Sequence, residues 1–120
     1  MNLLMSDSNG IIKHVVQIIN EGQFDEAERM LKELLGNEPN NAEAHHQLGR
    51  VYSFIGLFDE SLEELKVAVE ILPNDPPIRV DLAMQYCMLG FNDEAKQEFE
   101  EVLRQDPNNE MAQRQIIYFR

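Results

Sequence analysis

The apolar and polar positions of this chain repeat every 34 residues. Acidic landmarks recur at that spacing, and so do prolines and glycines. The matching segments are Phe24-Asp25-Glu26-Ala27, Phe58-Asp59-Glu60-Ser61 and Asn92-Asp93-Glu94-Ala95; Glu38-Pro39-Asn40-Asn41, Leu72-Pro73-Asn74-Asp75 and Asp106-Pro107-Asn108-Asn109; and the glycines Gly22, Gly56 and Gly90. A fixed period of roughly 20 to 50 residues is typical of stacked units, each of which needs its neighbours to bury its apolar face.

Each unit predicts two helices joined by a tight turn, as the middle unit illustrates. Asn41 suits the start of a helix, because its side chain can accept a hydrogen bond from an otherwise unpaired helical N–H. Gly56 predicts the end of the first helix, since glycine tolerates a positive φ there, and Pro73 predicts the end of the second. The apolar faces follow three- and four-residue spacing: His45, Leu48, Gly49 and Tyr52, then Leu62, Leu65, Ala68, Val69 and Leu72.

The repeat divides the chain into one continuous array of units. The predicted bounds are a leader over Met1–Asp7, repeats over Ser8–Asn41, Ala42–Asp75 and Pro76–Asn109, and a C-terminal capping helix over Glu110–Arg120. Segments rich in glycine, serine or proline that would act as linkers are missing between the units. The sequence therefore predicts a single all-α domain of seven helices without strands.

Composition and charge narrow the classes of partner. The chain has 120 residues, with 22 acidic and 10 basic side chains and a net charge of −12. This charge disfavours nucleic acid and anionic lipid surfaces as partners. Apolar runs fall well short of the roughly 18 residues that a membrane-spanning helix needs. The lone Cys87 favours a reducing compartment, so we expect a cytoplasmic protein that does not insert into a membrane.

The residues that could carry catalysis or bind a metal are few. The chain has three histidines, His14, His45 and His46, and we expect His14 on the core face of its helix. Adjacent helical residues point about 100° apart, so His45 and His46 make a poor chelating pair. Cys87 lacks a histidine partner in the sequence pattern, and phosphate-binding glycine loops and paired cysteines are not found. We therefore expect a protein without enzymatic activity, cofactor or metal.

The pattern of positions that recur in each unit resembles the tetratricopeptide repeat. The resemblance rests on Leu48-Gly49, Tyr52, Gly56, Phe58, Ala68 and Pro73, and on Leu82-Ala83, Tyr86, Gly90, Ala95, Phe99 and Pro107. The usual large aromatic residue of the first helix is replaced by Ile11, His45 and Arg79. The resemblance implies a right-handed α-solenoid of helix–turn–helix units. It also implies an interaction module that binds partner polypeptides in a concave groove lined by the first helices.

The face next to the core of each first helix predicts the groove residues. They are Ile12, Val16 and Ile19; His46, Arg50, Ser53 and Phe54; and Val80, Met84, Cys87 and Met88. The set is apolar at its two ends, and large exposed apolar surface marks interaction sites. We expect an adaptor or scaffold whose groove takes an amphipathic helix or an extended apolar peptide, with Arg50 facing a carboxylate or carbonyl. In the alternative interpretation the leader residues Leu3, Leu4 and Met5 cover the groove from within, and neighbouring first helices pack on each other and bury part of the set.

Two other functions remain open. Tyr118 and Phe119 are left over at the end of an unfinished fourth repeat, which suggests a scaffold that self-assembles through its ends. The second of these functions is that of a dedicated chaperone for a helical client.

A clamp for acidic chaperone tails is disfavoured, because relatives place Lys, Asn, Asn, Lys and Arg where this chain has Ile12, Val16, Gln47, Pro77 and Asp81. The glutamates of the second helices, Glu60, Glu63, Glu64, Glu70, Glu94, Glu98, Glu100 and Glu101, predict a solvated convex face.

Overall fold

A computed structural model of the protein describes residues 7–119, which form seven α-helices and a final 3₁₀ turn. The elements are α1 (Ser8–Asn20), α2 (Phe24–Asn37), α3 (Ala42–Phe54), α4 (Phe58–Ile71), α5 (Pro76–Met88), α6 (Asn92–Gln105), α7 (Glu110–Ile116) and the 3₁₀ turn Ile117–Phe119. Strands are absent from this part of the chain. The predicted all-α fold is confirmed, although the last helix ends at Ile116 and does not continue toward the chain end.

Side-chain caps start the first helix of every pair. The side chains of Asp7, Asn41, Asp75 and Asn109 accept hydrogen bonds from backbone N–H groups at 2.9–3.2 Å. Each bond satisfies an N–H that has no partner within the helix. The four capping residues are 34 positions apart, so the sequence period sets where the first helices begin.

Glycines turn the chain from the first helix of a pair to the second. Gly22, Gly56 and Gly90 have φ of 80°, 84° and 81°, a left-handed conformation that residues with a Cβ adopt only with strain. The residue after each glycine then donates its N–H to the carbonyl five positions back, as Leu57 does to the Tyr52 carbonyl at 2.8 Å. This bond closes the helix end and directs the next helix back along the first.

The helix pairs stack into an elongated molecule of 53 × 27 × 23 Å. Neighbouring first helices α1, α3 and α5 pack on each other more closely than neighbouring second helices do, so the first helices form the inner side of the stack. Gly49 in α3 allows a tight approach, because an added Cβ would lie 2.8 Å from Leu65 Cγ. The largest buried side chains are Phe99, Leu31, Leu65, Ile78, Val15, Val51 and Val102.

In the second and third repeats, His45 and Arg79 replace the aromatic residue expected in the first helix. Both side chains make polar contacts to the second helix of the same repeat. His45 Nδ1 lies 2.8 Å from Glu64 Oε1, and Arg79 Nη1 lies 2.6 Å from Glu98 Oε2. The same side chains reach the preceding prolyl carbonyls, His45 Nε2 at 2.7 Å and Arg79 Nη2 at 2.8 Å. Glu64 and Glu98 therefore tie helices together, which corrects the prediction that they lie on a solvated face.

Two further expectations about side-chain direction change with the structure. Leu72 was expected in the apolar stripe of α4, but it is exposed because the helix ends at Ile71 and Leu72 adopts φ −123°, ψ 78°. Its side chain therefore no longer follows the helical period. His14, expected on the core face, is half-buried. Within residues 7–119 every helix is too short or too polar to cross a bilayer.

Candidate functional site

The inner surface formed by α1, α3 and α5 carries the predicted groove residues. Most of them keep part of their surface open to solvent. Ile12, Val16, Arg50, Ser53, Val80, Met84 and Cys87 are half-buried, and Phe54 and Met88 are exposed. The structure therefore presents a mixed apolar and polar surface along the first helices.

Two predicted groove residues are buried, which corrects their assignment as contact residues. Ile19 belongs to the buried cluster that joins α1 to α2 and α3, because the neighbouring repeat covers this end of α1. His46 is also buried, because α5 packs over its ring and places Asp81 against it. A partner on the surface would not contact Ile19, and His46 makes its contacts to other residues of the same chain.

A cavity of about 230 Å³ opens on the inner surface between α3 and α5. Its lining combines apolar and polar side chains. The lining residues are Gly49, Arg50, Ser53, Phe54, Leu65, Asp81, Met84 and Gln85. The cavity thus brings together the four predicted residues Arg50, Ser53, Phe54 and Met84, whereas Val80, Cys87 and Met88 do not line it.

His46 connects α3 to α5 through two carboxylates. Its Nε2 lies 2.6 Å from Asp81 Oδ2, and its Nδ1 lies 3.2 Å from Glu43 Oε1. Burial disfavours the charged ring and lowers its pKa, but the hydrogen bonds to Asp81 and Glu43 outweigh burial and raise the pKa of His46 from 6.5 to about 9. His46 is therefore protonated at neutral pH, and its positive charge offsets part of the negative charge of Asp81 and Glu43 beside the cavity.

Arg50 is the cation that faces the cavity. Its Nη1 donates to Gln47 Oε1 at 2.6 Å, and its guanidinium lies 5.7 Å from the centre of the Phe54 ring. Phe54 in turn stacks on Phe24 at a centroid distance of 5.6 Å. These contacts hold the guanidinium in place, while its remaining N–H groups stay available to an acceptor.

Gln85 is a cavity residue that the helical pattern of the sequence did not predict. Its Nε2 donates to Ser53 Oγ at 2.8 Å across the contact between α3 and α5. Its Oε1 is buried and has no hydrogen-bond partner among the described residues. The equivalent position in the preceding repeat holds the apolar residue Val51. The change from valine to glutamine was the sign in the sequence that position 85 differs from an ordinary core position.

The third-repeat end of the surface is apolar. Val80, Met84 and Cys87 pack partly against the buried cluster around Phe99, and Met88 projects into solvent at the end of α5. Burial raises the pKa of the Cys87 thiol, so the reactive thiolate is disfavoured at neutral pH. In the described part of the chain, no three side chains of the types that ligate metals gather around a common point.

The two residues of the predicted self-association patch have different surroundings. Phe119 packs on Phe99 at a centroid distance of 6.0 Å and caps the buried cluster of the third repeat. Tyr118 is 79% exposed, and its neighbour Ile117 is 61% exposed. Phe119 is therefore held within its own chain, whereas Ile117 and Tyr118 are available to another molecule. The leader residues Leu3, Leu4 and Met5 lie outside the described residues.

Comparison with solved structures places the fold among known helical-repeat proteins. The first TPR of Spaghetti (RPAP3) bound to the HSP90 peptide SRMEEVD has a TM-score of 0.85 and 19% identity, covering 90% of this chain and 86% of that one. The second TPR domain of human RPAP3 in complex with the HSP70 peptide SGPTIEEVD has a TM-score of 0.81 and 21% identity, covering 88% of each chain.

A longer protein shares the fold over part of its length. A Thermobaculum terrenum O-GlcNAc transferase mutant has a TM-score of 0.87 and 19% identity, but it covers 98% of this chain and 23% of that one. Comparison with curated proteins found no match. The model of the tetratricopeptide repeat family matches residues 19–79 and residues 56–115, which together take in most of the three repeats. This chain therefore belongs to the tetratricopeptide repeat family.

Proposed function

We propose that this protein is a non-enzymatic adaptor that binds a partner polypeptide along the inner surface of α1, α3 and α5. The observation that carries the proposal is the open cavity between α3 and α5, which Met84 and Arg50 line together. Met88 extends the apolar surface beyond the cavity. Methionine side chains suit such a surface, because they are flexible and adapt to varied partner shapes.

The structural neighbours support a polypeptide partner without naming it. Two of them are solved with chaperone peptides that end in EEVD. Their low identity to this chain indicates a shared fold, so the partner must be argued from this surface. Asp81 occupies one of the positions where a clamp for acidic tails needs a basic residue, and it is bonded to His46. The residues of a clamp for acidic chaperone tails are therefore missing from this surface, and the partner is to be sought from the cavity between α3 and α5.

Placing two carboxylates on the apolar part of the surface should abolish partner binding. We expect Met84→Glu with Met88→Glu to lower capture of the partner at least tenfold, because burying an unpaired carboxylate at an interface costs more than the roughly 1.4 kcal/mol that a tenfold change represents. The measurement is affinity capture from an extract of the cells that make the protein, quantified by mass spectrometry.

The control variant adds the same two negative charges as Met84→Glu with Met88→Glu, but it places them on an outer helix and a turn. Gln97→Glu with Asn108→Glu changes two exposed residues away from the surface and should leave capture unchanged. Circular dichroism and thermal unfolding of all three proteins establish that each is folded. Equal capture by the Met84/Met88 variant and the wild type would rule out this surface as the binding site.

A second candidate function is self-assembly through the C-terminal end. Ile117 and Tyr118 form adjoining exposed apolar surface, and residues 110–120 carry a net charge of +1 in a chain of −12. This end is therefore where electrostatic repulsion between two copies is weakest.

Sedimentation over a concentration series tests this candidate. We expect the wild-type protein to form dimers as concentration rises, because pairing the two ends removes Ile117 and Tyr118 from water. The double variant Ile117→Lys with Tyr118→Lys should stay monomeric, and Met111→Lys serves as a single-charge control on exposed α7 surface. A wild-type protein that is monomeric at millimolar concentration would exclude self-assembly.

A further inference from the structure

The contact between α3 and α5 differs chemically from the equivalent contacts on either side of it. Between α1 and α3 the facing residues are Ile19 and Val51, which are both buried in one apolar cluster. The residues 34 positions later are Ser53 and Gln85, which bond to each other at 2.8 Å. A further 34 positions along, Cys87 and Phe119 again pack on an apolar cluster. The chain therefore places a polar pair at the middle contact, where the cavity lies.

That polar pair is incompletely satisfied. Gln85 is 6% exposed, and its Oε1 has no partner among residues 7–119. Rotating the terminal amide exchanges Oε1 with Nε2, but Ser53 can serve only one of the two atoms in either orientation. A buried amide atom without a partner destabilises the folded protein, and an apolar pair at this position would avoid that loss.

The unpaired amide favours one conformation of the occupant. The peptide group of a partner offers both an N–H and a carbonyl, so it can satisfy Gln85 in either amide orientation. Inside an α-helix those groups are already bonded to each other, whereas an extended segment keeps them free. The cavity volume of about 230 Å³ lies below the roughly 300–1,000 Å³ of small-molecule sites, and it suits one side chain with its peptide group.

Charge and lining complete the description of the occupant. Leu65 and Met84 give the cavity apolar walls. Arg50 reaches the rim, and in the described part of the chain its hydrogen bond goes to the neutral amide of Gln47. The nearby acids are occupied, because Asp81 and Glu43 both contact the His46 ring. Arg50 thus makes no direct ion pair in the described part of the chain, and its other N–H groups can donate to an acceptor at the rim.

We propose that the cavity between α3 and α5 binds an extended partner segment in which an apolar residue stands next to an aspartate or glutamate. The proposal rests on the adaptor function and gives it a ligand class. The apolar side chain enters between Leu65 and Met84, the carboxylate accepts from Arg50, and the peptide group at the apolar residue bonds to Gln85.

The probe is a phage-displayed library of random linear twelve-residue peptides, selected on the full chain. We expect the selected peptides to share an apolar residue beside Asp or Glu. Synthetic copies of the best peptide should bind tenfold to a hundredfold more weakly to Arg50→Gln, because a charge-assisted bond is lost. Methylating the backbone nitrogen of the apolar residue, or replacing the peptide acid with its amide, should weaken binding similarly.

The decisive variant gives the contact between α3 and α5 the residues found at the equivalent positions between α1 and α3, Ile19 and Val51. Ser53→Ile with Gln85→Val should fill the cavity and lose peptide binding, while its midpoint of thermal unfolding stays equal to that of the wild type or rises. Arg50 is half-buried at the rim, so Arg50→Gln provides a second test that does not depend on core packing. Lost binding together with kept stability separates a ligand site from a structural polar pair.

Other outcomes would overturn the proposal. Peptides that bind the Ser53/Gln85 variant as tightly as the wild type would place the ligand elsewhere on the surface. Selected peptides that bind only when locked as helices, or a library that yields no binder, would exclude an extended acidic ligand. The adaptor function fails separately, when Met84→Glu with Met88→Glu leaves capture from the cell extract unchanged.

Discussion

Replacing Arg79 with isoleucine should lower the free energy of unfolding by about 2–3 kcal/mol, because it leaves Glu98 partly buried without its partner. The Arg79 side chain is 13% exposed and the Glu98 side chain 20% exposed, at an Nη1–Oε2 distance of 2.6 Å. Arg79 also donates to the Pro73 carbonyl at 2.8 Å, where Gln105 remains as a second donor. Urea denaturation followed by circular dichroism measures the change.

The first repeat supplies the matched rescue for this variant. Ile11 and Met30 stand 68 positions before Arg79 and Glu98, and both pack on the buried cluster of α1 and α2. Arg79→Ile with Glu98→Met should therefore recover stability to within about 1 kcal/mol of the wild type, because no charge is left unpaired. Arg29→Ile, at an exposed arginine, should change stability by less than about 0.5 kcal/mol. A double variant as unstable as the single one would contradict this explanation.

The sequence predicted the features that are decided within a few neighbouring residues. The caps at Asn41 and Asp75 depend on one side chain and an N–H three positions on, and the turn at Gly56 depends on its own φ. Such local determinants repeat every 34 residues, so the period gave the helices and their order. Most of the predicted groove residues also lie on the inner surface, because the helical period fixes the face on which a residue lies.

Contacts between repeats could not be predicted in the same way. Helical spacing placed Ile19 next to the core face, but only the position of α3 decides that it is buried. His46 was expected to meet a partner, yet it meets Asp81, which lies 35 residues away. The bond of Gln85 to Ser53 spans 32 residues. Phe119 is redirected by the final 3₁₀ turn onto Phe99. Each depends on how neighbouring repeats are stacked, which periodicity within one helix does not specify.

The same contact between α3 and α5 should make stability depend on pH through His46. The pKa of His46 is about 9 in the folded protein against an ordinary value of 6.5, so the folded state binds the proton more tightly. The stabilisation is fully present below about pH 6.5 and is lost as the pH rises through about 9. Asp81 and Glu43 are 39% and 43% exposed, so solvent screening leaves about 1–2 kcal/mol.

The measurement is the difference in free energy of unfolding between the wild type and His46→Gln at pH 6, 7, 8, 9 and 10. We expect the advantage of the wild type to be largest at pH 6 and to shrink by about 1–2 kcal/mol by pH 10, since glutamine cannot carry the proton. The difference between variants removes the general effect of raising the negative charge on an already acidic chain. His14→Gln, at a half-buried histidine on α1, controls for the loss of an imidazole. A constant difference for His46→Gln would mean that folding does not raise the pKa of the His46 ring, so that the charged ring does not stabilise the contact between α3 and α5.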